Sequence, residues 1–328
     1  MNVDVYCEWL RRQRFHVFRS ESSYWYEAGP RVLQAVPFHR VIRPSAEELR
    51  ELTLGRSMLA IRYSTPVSAA EGMISYHVVL RAPYEMEILR PQARNGIRRG
   101  LEHCRVEPIP LERMAEEGWE LQRDTLARQG RTNSTTRQQW VRACETCKDL
   151  PGFEAWGALV QGRLAATMLT TRIDETCCVP TAQSRGEYQK LHVNNALFYV
   201  VSRELLARPG VSSIFFSLHS LDAPESVNEF KFRMGLMARP VRQRVVLHPL
   251  LRPLVDRVDG TVLTRWLTDH VAAKAAGMLR FYRQGRLPLS EQCWPDCLAE
   301  YRACTLGHLP VSAGEPSVRL QMEADSSA

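Results

Sequence analysis

The stretch TAQSRGEYQKLHVNNALFYVVSRELL, residues 181–206, leaves a strand, crosses a polar loop and enters a helix. From Ala196 to Leu206 the first two turns are apolar nearly all round, the pattern of a helix buried against a sheet. Asn194 or Asn195 is its expected cap. The loop from Ser184 to Asn195 offers backbone N–H groups at a helix N-terminus, where the dipole favours an anion or a developing oxyanion. Every helix has such an end and most bind only water, so the loop alone does not decide a function.

Its neighbours give the loop a context. Upstream, Phe153–Val160 and Arg163–Arg172 read as strands joined by a tight Gln161-Gly162 hairpin, and Asp174-Glu175 turns the chain into a third strand, Thr176–Ala182. Before them stands a short strand, Arg105–Ile109, stopped by Pro110. A helix follows whose Leu111, Met114, Gly118, Leu121 and Thr125 share one face and which ends at Gly130. A second helix covers Ser134–Lys148 and closes at Leu150-Pro151-Gly152. Downstream, Val211–Leu218 is a central strand, Asp222-Ala-Pro-Glu225 is a capping box opening a helix that closes at Gly235, and Val241–Leu247 is the last strand. Few folds share this order of strand, two helices, three strands, helix, strand, helix, strand.

Residues before Arg105 predict a first lobe. Arg31–Ile42, Ser57–Tyr63 and Ile74–Arg81 are strand candidates, Ser45–Leu54 is a short helix capped by Ser45, and Pro91–Cys104 is a helix softened by Gly96 and Gly100. The expected organisation is an N-terminal helix (1–20), a first lobe (21–104), a second lobe (105–250), a C-terminal helical extension (251–314) and a disordered tail (315–328). In the extension Leu267, Val271, Ala275, Met278 and Tyr282 form one helical stripe.

A chain of 328 residues can bury a sizeable core in two lobes. Its 45% apolar and 24% charged composition is that of a soluble globular protein. The helix-like stretch Val3–Phe18 carries Glu8, Arg11, Arg12 and Arg14 and is no secretory core, and no apolar run approaches the ~18 residues that span a bilayer. The expected location is the cytoplasm. The net charge of +7 suits anionic ligands without proving nucleic acid as a partner. Nine cysteines in such a chain read as free thiols. Cys144-x-x-Cys147 lacks a second pair, and Cys293, Cys297, Cys304 and His308 lack a zinc knuckle, so no metal is expected.

The order of elements, residues 181–206, and DAPESVNEFKFRMGL (residues 222–236) with its Phe230-Lys231-x-x-x-Gly235 pattern resemble the GNAT acyltransferase fold, and within it the FemAB-like branch. The Arg94-Asn-Gly-Ile-Arg98-Arg99 run is similar to the Arg-rich helix of that branch. The resemblance implies an α+β fold of two tandem GNAT-like lobes with a mixed central sheet flanked by helices. It implies transfer of an acyl or aminoacyl group to an amine, from acetyl-CoA or another acyl-CoA as co-substrate, a carrier-protein thioester or, alternatively, an aminoacyl-tRNA. A degenerate lobe acting only as a binding module is the third alternative. The sequence departs from the pattern that grips acetyl-CoA: Gln183-x-x-Gly186 keeps two anchors, Tyr188 takes the place of a small third, and about six residues separate it from the helix.

Each candidate residue has a plainer reading beside the functional one. Gln183, Ser184, Arg185 and Gly186 are donor-binding candidates, with Asn194 and Asn195 as caps or ligands. His192 is either a general base toward the amine or a residue packed at a helix start. Tyr188 is a proton donor in the cleft or a loop anchor. Lys231 sits at the margin of its helix's buried face; it reaches a phosphate or acyl carbonyl, or snorkels to water. Ser217 and His219 end a strand beside the expected ligand opening, and Arg94 and Arg98, one helical turn apart, grip an anionic substrate or form a solvated face.

Overall fold

The computed structural model describes residues 2–131, 135–219, 225–257 and 269–306. In chain order the elements are α1 (Val3–Arg12), β1 (Val17–Arg19), β2 (Tyr24–Gly29), β3 (Val32–Val36), α2 (Ala46–Arg50), β4 (Ala60–Thr65), β5 (Met73–Arg81), α3 (Pro91–His103), β6 (Arg105–Ile109), α4 (Leu111–Arg128) and α5 (Arg137–Glu145). They continue with β7 (Phe153–Val160), β8 (Arg163–Ile173), β9 (Thr176–Ser184), α6 (Val193–Leu206), β10 (Ser213–Leu218), α7 (Glu225–Arg233), β11 (Met237–Leu247), α8 (Arg252–Arg257), α9 (Asp269–Gln284) and α10 (Ala299–Thr305).

The chain packs as two units, one of Met1–Arg14 and Val78–Met237, the other of Phe15–His77 and Ala238–Ala328. Packing therefore groups α1 and α3 with β6–β10, and β11 with β1–β4, whereas the composition suggested divisions at 21, 105 and 251. The reason for α1 is direct. Trp9 donates its indole N–H to the Ala143 carbonyl at 2.8 Å and meets the Phe153 ring at 5.1 Å with the planes tilted by 51°, while Arg12 pairs with Asp149 at 2.6 Å.

In the first unit, β6, β7, β8 and β9 form an antiparallel run, and β10 joins β9 in parallel. The β7–β8 hairpin turns at Gln161 (φ 50°) and Gly162 (φ 80°), both left-handed as a two-residue primed turn requires. Helix α5 begins with a capping box between Thr136 and Gln139, whose paired bonds are 2.8 and 3.2 Å long. The expected start at Ser134 lies outside the described residues, as does the capping-box segment at Asp222–Pro224.

Helix α6 packs against α3 at unusually short range. A Cβ on Gly100 would fall 2.6 Å from the His192 carbonyl oxygen and 2.8 Å from the Ala196 Cβ, and one on Gly96 would fall 2.9 Å from the Asn195 amide. The two glycines are thus one turn apart on the face that receives the start of α6, and they do not break α3, which runs unbroken from Pro91 to His103. Close packing rather than flexibility explains them.

In the second unit, β1–β2–β3 are antiparallel neighbours, β4 joins β3 in parallel, and β11 pairs antiparallel with β4. Trp25, Leu33, Leu52, Ile61 and Tyr63 are fully buried in the core of this sheet. Ser45 caps α2 as expected, accepting from the Glu48 N–H at 3.0 Å. Three expectations are corrected. The first helix stops at Arg12, because Arg14 turns left-handed (φ 73°) and residues 17–19 become strand. The strand expected over Arg31–Ile42 ends at Val36, where Pro37 has no N–H for a ladder. The strand expected from Ser57 starts at Ala60, after Ser57 itself adopts φ 55°. Of the C-terminal stripe, Tyr282 is buried with Phe281, and Leu267 lies outside the described residues together with the expected tail.

Replacing Gly100 by Ala forces α3 away from the start of α6. The expected cost is about 2 kcal/mol, the usual scale for overpacking a tight contact, read as a lower urea midpoint. An unchanged midpoint would mean that α3 can retreat freely.

Candidate functional site

Strands β9 and β10 are paired at only three positions, Thr176 with Ser213, Cys177 with Ile214 and Cys178 with Phe215. Beyond these, β9 continues to Ser184 and β10 to Leu218 without further pairing between them. The cause is local. Register between β8 and β9 shifts so that Val179 and Pro180 face Thr170 alone, a bulge, and Pro180 has no N–H to donate. Pro180 and Ala182 are accordingly exposed. The parted edge of β9 presents main-chain groups of the kind that an amide-bearing chain can pair with.

The β10 side of this opening is built on aromatic rings. Phe198 of α6 stacks on Phe216 of β10 at 4.2 Å and meets Phe230 of α7 edge-on at 5.5 Å. The residues that follow those partners then meet: Lys231 Nζ donates to Ser217 Oγ at 2.8 Å. Burial, and then the charge of Arg131, lowers the Lys231 ammonium to about 8. Helix α7 ends at Gly235 in the left-handed region (φ 87°); the Gly235 N–H bonds to the Phe232 carbonyl at 3.1 Å and the Leu236 N–H to the Lys231 carbonyl at 3.2 Å, a Schellman cap. The Phe-Lys-x-x-x-Gly pattern thus has a physical content: ring anchor, half-buried amine and helix stop. Met234, fully buried, faces the Asn195 amide at 3.3 Å and so ties α7 to the first turn of α6.

The turn between β9 and α6 is held by α4. Asp124 accepts the Gly186 N–H at 2.6 Å, Thr125 accepts the Ser184 N–H at 3.0 Å, and Arg128 donates to the Ser184 carbonyl at 2.7 Å while pairing with Asp124 at 2.8 Å. Desolvation opposes it, yet the Gly186 N–H and Arg128 hold the Asp124 carboxyl below its ordinary value. Arg185 is turned to the sheet, donating from Nε to the Leu164 carbonyl at 3.2 Å. Gln183 is buried and bonds to Gln122 at 2.7 Å and to Thr181. A pyrophosphate does not fit against the Gly186 N–H, because a carboxylate already accepts from it.

The extra residues before the helix are a 3₁₀ turn, Gly186–Leu191, which carries Tyr188 half-buried. The expected caps are corrected: α6 starts at Val193, and His192, left-handed at φ 55°, is its cap residue. Asn194 instead donates to Ser184 Oγ at 3.0 Å, bridging turn and helix. The half-buried His192 has its Nδ1 3.5 Å from where a Gly96 Cβ would lie. Sequence reasoning missed Asp124, Thr125 and Arg128; the i, i+4 spacing of Asp124 and Arg128 signals only an ordinary helical pair.

Arg94 and Arg98 line a cavity of about 170 Å³ with Met86, Glu87, Pro91 and Asn95. Arg94 reaches only the Glu87 carbonyl, at 3.5 Å. His219 closes the described part of the segment after β10. A larger concavity of about 420 Å³ lies at the other end of α3, around His103, Cys104, Arg105, Leu159 and Gln161, and contains none of the expected site residues. Among the described residues no three His, Cys, Asp or Glu side chains are grouped to hold a metal, and no helix is long and apolar enough to cross a membrane. His308 lies outside them.

The fold has counterparts among solved structures. FemX superposes with a TM-score of 0.54 at 10% identity, covering 76% of this chain and 93% of its own. The C-terminal domain of a protein named as a lysylphosphatidylglycerol synthetase, from Agrobacterium fabrum, superposes at 0.52 with 11% identity, covering 79% of this chain and 91% of its own. No family model and no curated protein matches the sequence. The chain shares the α+β fold of these two structures, a mixed sheet flanked by helices, as the order of its elements implied.

Lys231 also makes a stability prediction. Its folded value lies below the ordinary 10.5, so the folded chain binds fewer protons between about 8 and 10.5. Stability therefore rises with pH across that window, as the cost of the buried charge is relieved. Lys231→Met should melt higher than the parent at pH 7 and lose that advantage by pH 10.5. An equal gain at both pH values would remove the buried charge as the cause.

Proposed function

We propose that the chain transfers an acyl or aminoacyl group to an amine, with the donor lying in the opening between β9 and β10 and its carbonyl directed at Lys231. The observation that carries this reading is a half-buried, pKa-lowered amine bonded to Ser217 at the parted end of two parallel strands. The amine nitrogen attacks the donor carbonyl, forming an N–C bond. The carbonyl oxygen takes the displaced electron pair, and the Lys231 ammonium stabilises it by a charge-assisted hydrogen bond. Collapse breaks the C–S or C–O bond. His192 takes the proton that the amine loses, and Tyr188 supplies one to the departing thiol or hydroxyl. Arg94 and Arg98 hold an anionic group of the acceptor.

The turn supports one donor class over another. With the Gly186 N–H committed to Asp124, a donor that depends on a pyrophosphate at that place is disfavoured. An acyl-carrier thioester or an aminoacyl ester suits the opening better than free acyl-CoA. The Agrobacterium structure's name denotes the making of a lysyl-bearing lipid, which supports including an aminoacyl group among those the chain would transfer.

Transfer assays with lysyl-tRNA, acyl-carrier thioesters, acetyl-CoA and palmitoyl-CoA, each with a panel of amines, test the reading. One of the first two donors should support turnover, and Lys231→Met should lower that rate about a hundredfold, the scale for losing one oxyanion donor. An aminoacyl-tRNA donor would also show affinity falling steeply with salt. Equal rates in parent and variant would sink the role of Lys231, and turnover with acetyl-CoA alone would sink the donor class.

A further inference from the structure

Among the described residues, the second unit holds a buried cation with no counter-charge bonded to it. In the ladder of β4 and β11, Arg242 stands opposite Thr65 and Arg244 opposite Tyr63, and the two-residue period of a strand puts all four on one face. Arg242 is 4% exposed, Thr65 3% and Tyr63 0%. Arg244 is paired with Glu71 at 2.9 Å. For Arg242 no carboxylate offsets burial, which lowers its pKa. Its Nε and Nη1 are buried without a hydrogen-bond partner, as are Arg244 Nε and the Tyr63 hydroxyl. The stem of Arg242 is fixed by the loop before β5, since a Cβ on Gly72 would lie 2.9 Å from the Arg242 Cβ.

Buried guanidinium groups in folded chains are paired, because an unpaired one forfeits its hydration for nothing. Here two strands bring a planar donor set, a second guanidinium edge and two hydroxyls to one place, and among the described residues the one acid bonded there, Glu71, is taken by Arg244. Such a donor set matches a small oxyanion, held by the planar fork of an arginine. We propose that Arg242 and Thr65, backed by Arg244 and Tyr63, bind the phosphate or carboxylate group of a small ligand. The site is independent of the transfer chemistry proposed above.

Thermal melts of the full chain in sodium orthophosphate and in sodium acetate, each against chloride at equal ionic strength, test this. At least one of the two anions should raise the parent's melting temperature by several degrees with saturation at millimolar concentration. Response to phosphate alone identifies a phosphate-bearing ligand, and response to acetate alone a carboxylate. Arg242→Met should abolish the response, and Thr65→Val should shift saturation about tenfold higher. Should Arg242→Met not fold, the parent and Thr65→Val are titrated with orthophosphate and with acetate and followed by ³¹P and ¹³C line widths. No broadening in the parent, equal broadening in both proteins, or a melting shift that survives Arg242→Met overturns the site.

Discussion

Phe198 presents its ring to two partners at once, stacked on Phe216 and edge-on to Phe230, and the candidate site depends on that double contact. Aromatic pairs of this kind add to their area burial a preference for particular geometry. Because Ser217 follows Phe216 and Lys231 follows Phe230, fixing the rings fixes the amine and the hydroxyl that meet at 2.8 Å. The Gly235 cap then stops α7 one turn later, and Met234 locks it to Asn195. A half-buried lysine held away from its ordinary pKa is costly to the fold. Its retention at the mouth of a parted strand pair is the kind of local conflict expected where a fold gives up stability for function.

The strand order, the hairpin at Gln161-Gly162 and the run of three antiparallel strands were legible because turn residues and period changes coincide there. The Phe-Lys-x-x-x-Gly pattern was legible as a motif, and Lys231 and Ser217 were singled out separately; that they bond to one another was not readable, since they stand fourteen positions apart on different elements. Strands β1 and β2 escaped notice for a physical reason. Tyr24, Trp25 and Tyr26 are all aromatic, so the sequence shows no polar alternation although only Trp25 is fully buried. Gly96 and Gly100 read as weak points of a helix until the partner helix that needs their missing side chains is placed beside them. The cap of α6 was misplaced because asparagine is the commoner cap residue and a left-handed histidine leaves no mark in composition.

Helix α4 was read from the sequence as a helix with one shared face, and its Met114, Ala115, Gly118 and Leu121 are buried. Its last turns have a second task. Gln122, Asp124, Thr125 and Arg128 bind three of the four successive residues from Gln183 to Gly186, and Arg185 is anchored to the sheet instead. None of these pairs is foreseeable from spacing, because the partners are about sixty residues apart.

The carboxylate of Asp124 behaves as an anion that the chain carries with it. A turn that already contains its own counter-ion takes its final shape as the protein folds, and has no ordering left to perform when a second molecule arrives. On the donor site proposed above, recognition moves away from charge at the turn and onto outline and main-chain pairing along the free edge of β9, so that neighbouring compounds would be told apart by length and contour rather than by how many phosphates they bear.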